Sequence, residues 1–90
     1  AIENIYTLQL ANIDTDPHEF ELSSSGIEGA IIVGDTTYRL NGGEVRTISL
    51  RVRVEPGVLN RPSTELDFKA MAPAAPSLQA VSESRFMGPM

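Results

Sequence analysis

Residues 44–56 read EVRTISLRVRVEP, and no other stretch constrains the fold as tightly. Apolar and polar side chains alternate there with a period of two, the spacing of a strand with one buried face and one wet face. Ile48, Leu50, Val52 and Val54 share one side; Ser49, Arg51, Arg53 and Glu55 share the other. A helix would scatter both sets around its circumference. Arg46 precedes the cleanest part of the pattern, and Pro56 ends it because proline cannot continue a central ladder.

The same alternation recurs along the chain. ENIYTLQLANI puts Tyr6, Leu8 and Leu10 on one face and Thr7 and Gln9 on the other, before the turn-forming DTDP. HEFELSSSG turns Phe20 and Leu22 inward and Glu19 and Glu21 outward. Two shorter strands, AIIV and TTYRL, are separated by Gly34-Asp35 and closed by Asn41-Gly42-Gly43, a cluster suited to positive φ. PGVLNRP reads as a loop with Val58 and Leu59 tucked under the core edge. STELDFKAM restores the pattern, with Leu66 and Phe68 opposite Glu65, Asp67 and Lys69. The Ala/Pro tract at 72–76 then connects to a last strand through about residues 78–85.

Ninety residues, 41% of them hydrophobic, suffice for one small core and not for two. About seven short strands without a capped helical stretch predict an all-β fold, an immunoglobulin-like antiparallel sandwich spanning residues 1–90 as one domain. The rival is a five- or six-stranded barrel in which AIIV and TTYRL form one hairpin. The chain opens Ala-Ile-Glu without an initiator methionine, the expectation for a domain cut from a longer protein.

Charge and composition narrow the function. Seven basic against twelve acidic residues give a net charge of −5, which disfavours nucleic acid or an anionic bilayer as partner. No apolar run approaches the roughly 20 residues that span a membrane, and no signal-peptide pattern opens the chain. The arginines of the long strand are accordingly expected to pair across strands with Glu19, Glu21, Glu65 and Asp67. Lacking cysteine, the chain has no thiol nucleophile, iron–sulfur ligation or cysteine zinc site. Its one histidine, His18, could join Asp14, Asp16 and Glu19 around a metal, but the proline-bent spacing matches no ligand loop. Met71, Met87 and Met90 are candidate thioether ligands for Cu(I). Ser23-Ser24-Ser25-Gly26 reads as a strand end, and Gly26, Gly29 and Gly34 lack phosphate-loop spacing. No catalytic set is expected of this domain.

The ending SESRFMGP is specific for a terminus. Phe86 is expected to cover one end of the sandwich, and Arg85 to find a carboxylate or loop carbonyl. Both are candidates for an end that meets a partner.

Four segments in order, NIYTLQLANIDTDPHEFELSSSGI, GGEVRTISLRVRVEPGVL, RPSTELDF and ESRFMGP, resemble the C-terminal domain of FixG-type cytochrome oxidase accessory proteins. The resemblance implies an immunoglobulin-like domain on the periplasmic side of the bacterial inner membrane. Its parent would be a membrane protein with an iron–sulfur portion, acting in assembly of the cbb3-type haem–copper oxidase, with copper reduction or handling as a suggested role. Matching positions include Asn12, Gly43, Glu44, Pro56, Ser63, Thr64, Arg85, Phe86, Gly88 and Pro89, which look like turn, capping and packing residues. On this reading the domain is a non-catalytic interaction or structural module without a cofactor, and iron–sulfur clusters and redox activity belong to the parent alone. Its expected partners are the parent itself, the oxidase or other assembly factors. The alternatives are a copper-handling module built on the methionines and His18, and a free-standing adhesion or carbohydrate-binding domain.

Overall fold

In the computed structural model, which describes residues 1–88, the alternating segments are strands. They are β1 (Ile2–Ala11), β2 (His18–Ser25), β3 (Ile31–Val33), β4 (Thr37–Leu40), β5 (Val45–Val54), β6 (Ser63–Ala72) and β7 (Ala75–Met87), with one 3₁₀ turn at Pro56–Val58. They form two antiparallel sheets, one ordered β1-β5-β3 and the other β4-β2-β6-β7. The fold is the immunoglobulin-like sandwich that the alternation predicts. The barrel is excluded by the pairing of the two short strands: β3 lies on β5 and β4 on β2, in opposite sheets. Gly34, at φ +105°, gives the chain a conformation that side chains resist as it passes from one sheet to the other.

The period-two faces meet in one core. Ile48, Leu50, Val52 and Val54 from β5 face Phe20, Leu22, Leu66 and Phe68 from β2 and β6, all buried. Ten pairs hold β1 on β5 without a slip, from Ile2↔Val54 to Ala11↔Val45. Such continuity fixes which side chains point inward, because a one-residue shift would exchange the faces.

Three expectations change. The last strand runs over thirteen residues rather than eight. Pro76 falls inside it, tolerated because β7 is an edge strand whose outer side needs no ladder donor. The Ala/Pro connection shrinks to a turn at Pro73-Ala74, with a register shift between Met71 and Ala72 absorbing the misfit. Of the PGVLNRP pair, Leu59 reaches the core, whereas Val58 remains 49% exposed.

Candidate interaction surfaces

The pairing Thr64↔Phe86 carries Phe86 between the sheets, where it is fully buried. It closes one end of the core as expected, and for that reason it presents no surface to a partner. Arg85 points to the other side of β7 and is exposed. Its Nε donates to Ser63 Oγ at 2.6 Å and its guanidinium donates again to the Ser63 carbonyl at 3.3 Å. The expected carboxylate or loop carbonyl is thus replaced by a hydroxyl and a carbonyl from the neighbouring strand. Arg85 also borders a depression of about 380 Å³ together with Gly26, Arg61, Thr64, Glu65 and Asp67. There Asp67 Oδ1 is buried without a hydrogen-bond partner.

Sequence reading missed what joins β1 to β7 at this end. The Asn4 amide donates to the Met87 carbonyl at 3.1 Å, and its Oδ1 accepts from the Met87 N–H at 2.8 Å. One side chain thereby makes the two bonds that a paired backbone would make. Two residues on, the Tyr6 hydroxyl donates to the Arg85 carbonyl at 2.8 Å. The Tyr6 ring packs edge-on against Phe68, with centroids 5.0 Å apart, and burial pushes the phenol pKa up. The period-two pattern marked Tyr6 as inward but carried no sign of this bridge.

Arg51 and Arg53 project from the outer face of the three-stranded sheet. Their partner is Glu3: Arg53 binds Glu3 Oε2 through Nε at 3.0 Å and a terminal nitrogen at 2.8 Å, and Arg51 reaches Oε1 at 3.5 Å. The Arg53 hydrogen bond is the main cause that holds the Glu3 carboxyl below its usual range. The predicted partners Glu19, Glu21, Glu65 and Asp67 are wrong for a simple reason. They lie on β2 and β6, whose sheet faces outward on the opposite side of the sandwich. Beside the arginines stand Ile5, paired with Arg51, and Ile31, paired with Arg53, which are 75% and 59% exposed. This face therefore mixes cations with apolar groups.

The DTDP turn is organised by Asn12, the one buried polar residue among the described residues. Its amide donates to the carbonyls of Asp16 at 2.8 Å, Leu40 at 3.3 Å and Asn41 at 3.2 Å, while Oδ1 accepts from the Asp14 N–H at 3.1 Å. This clamps the β1–β2 turn onto the β4–β5 turn. Gly42 completes the contact, since a Cβ there would strike the Thr15 carbonyl. In the same turn Glu44 Oε1 accepts from the Asn41 N–H, which with Arg46 lowers the Glu44 pKa. Arg46 then donates to the Arg39 carbonyl in the opposite sheet.

His18 Nε2 meets Asp14 Oδ2 at 2.7 Å, and this bond is the largest cause of the lowered Asp14 pKa. His18 shares the inward parity of Phe20, with the two rings 6.4 Å apart. Met71 has the outward parity of β6, so it projects from the opposite face of that sheet. Met87 pairs with Ser63 at the far end of β6, eight residues from Met71, or roughly 27 Å along a strand. The structure therefore does not bring His18, Met71 and Met87 together; Met90 lies outside the described residues. Among the described residues no group of three or more histidine, aspartate and glutamate side chains converges as a metal site. What the arrangement offers is surface: a mixed cationic and apolar sheet face, a depression beside Arg85, and the edge strands of the two sheets, β1 and β3 in one and β4 and β7 in the other.

Comparison with known proteins places this architecture. Residues 1–89 match the family described as "IG-like fold at C-terminal of FixG, putative oxidoreductase". No curated protein matches. Among solved structures, a FixG-related protein from Vibrio parahaemolyticus superposes with a TM-score of 0.90 at 26% identity, over 99% of this chain and 81% of that one. With nearly every residue inside the match, the chain belongs to the family of immunoglobulin-like domains found at the C-terminus of FixG.

Proposed function

We propose that this domain is a non-catalytic docking module of a FixG-type membrane protein, held on the periplasmic side of the inner membrane. There it engages its own parent, the cbb3-type oxidase or another assembly factor. The observation that carries this reading is the match over residues 1–89 to a domain defined at the end of FixG. An immunoglobulin-like fold does not by itself imply chemistry, and function on such scaffolds resides in faces, edges and end loops. In the proposed parent, iron–sulfur clusters and redox activity belong to other segments.

The test has two stages. Fractionated cells probed with an antibody against this domain are expected to show a much larger species confined to the inner membrane. Substitutions on exposed positions, among them Ile5→Glu, Ile31→Glu and Arg85→Glu, are then introduced into the parent. They are expected to reduce assembled oxidase while the isolated domain stays folded. Full oxidase assembly across the whole panel would end the docking reading.

A further inference from the structure

β1 and β7 border the same open side of the sandwich, one at the edge of each sheet. They run antiparallel to each other, with Asn4 touching Met87 and Tyr6 touching Arg85. Beyond Tyr6 the bridging stops and the strands enclose a groove of about 410 Å³, between Thr7–Ala11 and Ser77–Ser82. Leu8, Leu10, Leu78 and Ala80 form its walls, and Phe68 and Ala70 part of its floor.

The groove has a cause in the sequence. The inward positions of β7 before Phe86 are Leu78, Ala80, Ser82 and Ser84, and Ala80 pairs with another alanine, Ala70. Small side chains there leave volume that larger ones would fill. A cavity of roughly 150 Å³ accommodates a benzene ring, so this one has room for two or three apolar side chains.

We propose that this groove takes an extended segment of a partner polypeptide, added as a strand to the β7 edge with alternate uncharged side chains laid inside. The proposal rests on the docking reading and specifies its mode. Each wall is a sheet edge, which offers a periodic row of N–H and C=O groups rather than a few converging side chains. Such a row is matched by another extended backbone. Neither wall carries a charge: no charged residue occurs from Asn4 to Ile13 or from Ala70 to Ser82. Soluble domains ordinarily protect edges with charges, and here Val81 and Ile13 stand at the rim 62% and 85% exposed. Burying an unpaired charge between such walls is costly, so inward positions of the occupant are apolar or neutral. The occupant is not a second copy pairing through its own β7, because Leu78, Ala80 and Ser82 would leave the space largely unfilled. Six residues, Ser77–Ser82, set the length of the contact at about 20 Å.

The probe is the octapeptide acetyl-Lys-Thr-Val-Thr-Val-Thr-Val-Lys-amide, titrated into the isotope-labelled domain and followed by amide shifts. Saturable shifts are expected over Thr7–Ala11 and Ser77–Ser82. The same peptide N-methylated on alternate residues has equal charge but cannot donate along one edge. It is expected to bind at least about tenfold more weakly, the loss of two main-chain hydrogen bonds. Ala80→Trp, which fills the groove, is expected to weaken binding similarly. No shift at the highest soluble peptide concentration, or equal binding of the N-methylated peptide, overturns the proposal. So does movement of the same amides on concentrating the protein alone, which assigns the edge to a second copy. In the parent protein, assembly that survives Ala80→Trp but fails with Ile5→Glu removes the groove as the docking mode and keeps the docking function. Assembly unaffected by every variant removes the docking function, and the peptide titration alone then decides the groove.

Discussion

Replacing Asn12 with alanine tests whether the clamp between the two turns is a main support of this fold. Four hydrogen bonds disappear together. None of them leaves a buried group bare. The Leu40 carbonyl is buried but keeps its place opposite His18 in the β2–β4 ladder, and the other three groups lie in turns that water reaches in part. Each loss is therefore about 0.5 kcal/mol. The sum is about 2 kcal/mol, against a total of about 5–13 kcal/mol for a domain of this size. That corresponds to a fall in Tm of about 8–16 °C.

Asn12→Asp separates the donor role from the acceptor role. Aspartate keeps the oxygen that accepts from Asp14 N–H but loses both amide hydrogens, and sets a negative charge against three carbonyls. Its carboxyl pKa is raised in the folded state, so its excess cost is full at neutral pH and shrinks as protonation restores one donor. Urea unfolding followed by the fluorescence of Tyr6 and Tyr38 measures both variants, since the chain has no tryptophan. A loss below about 1 kcal/mol for Asn12→Ala, or an Asn12→Asp protein as stable as the parent at pH 7, would refute the clamp.

Other perturbations sort the fold from its decoration. Phe86→Ala is expected to cost about 3–5 kcal/mol because the ring is fully buried, and thermal unfolding would show it. Arg53→Ala is expected to cost less than about 1 kcal/mol, because its bond to Glu3 is exposed; a larger loss in urea would contradict that. Gly26→Ala is expected to cost about 1–3 kcal/mol, since φ is +107° and a Cβ would press on the Glu65 carbonyl. Glu3 and Glu44 sit below their ordinary value of 4.5 and Asp14 below 3.8, so the folded state holds fewer protons than the unfolded chain in acid. Their contributions are present above those ordinary values and fade as pH falls through the folded ones. Glu44→Gln is therefore expected to flatten the decline of the urea midpoint below pH 4.5, and an unchanged slope would show that its bonds do not discriminate folded from unfolded.

Much of the architecture was legible because period-two alternation is a local property. In β5 it sorted each inward residue from each outward one, and it did the same for Phe20, Leu22, Leu66 and Phe68. Which strand lies beside which is not local. The arginines were matched to the wrong carboxylates because Glu19 and Asp67 alternate as well as Glu3 does, and nothing in the alternation assigns a sheet. Phe86 was placed rightly at one end of the core, but the strand that carries it was ended at about residue 85, because its inward neighbours Ser84, Ser82 and Ala80 are small or polar and blur the alternation. The clamp was half legible, since Asn12, Gly43 and Glu44 stood among the turn positions shared with the FixG-type domains. Its burial was not, because it requires the turn after β4 to arrive from the other sheet.

The bridge from Asn4 and Tyr6 to β7 and the Asn12 clamp belong to one arrangement. A strand at the edge of a sandwich can be held by the edge facing it or by the turns at its ends. At its beginning β1 is held by the first means, through Asn4 and Tyr6 on β7. At its end it is held by the second. The Asn12 N–H donates to the Glu44 carbonyl, the Gly43 N–H to the Asn12 carbonyl, and the Asn12 amide secures the turns around it. The ladder to β5 runs the whole length of β1, and at this end the turns add to it, so Ala80 and Ser82 stay small without loosening β1. The clamp thus steadies one wall of the groove. Asn12→Ala should accordingly weaken binding of the alternating peptide more than Phe86→Ala does, when both are compared at a temperature where each remains folded. Equal weakening would mean that the groove depends on overall stability and not on the anchored wall.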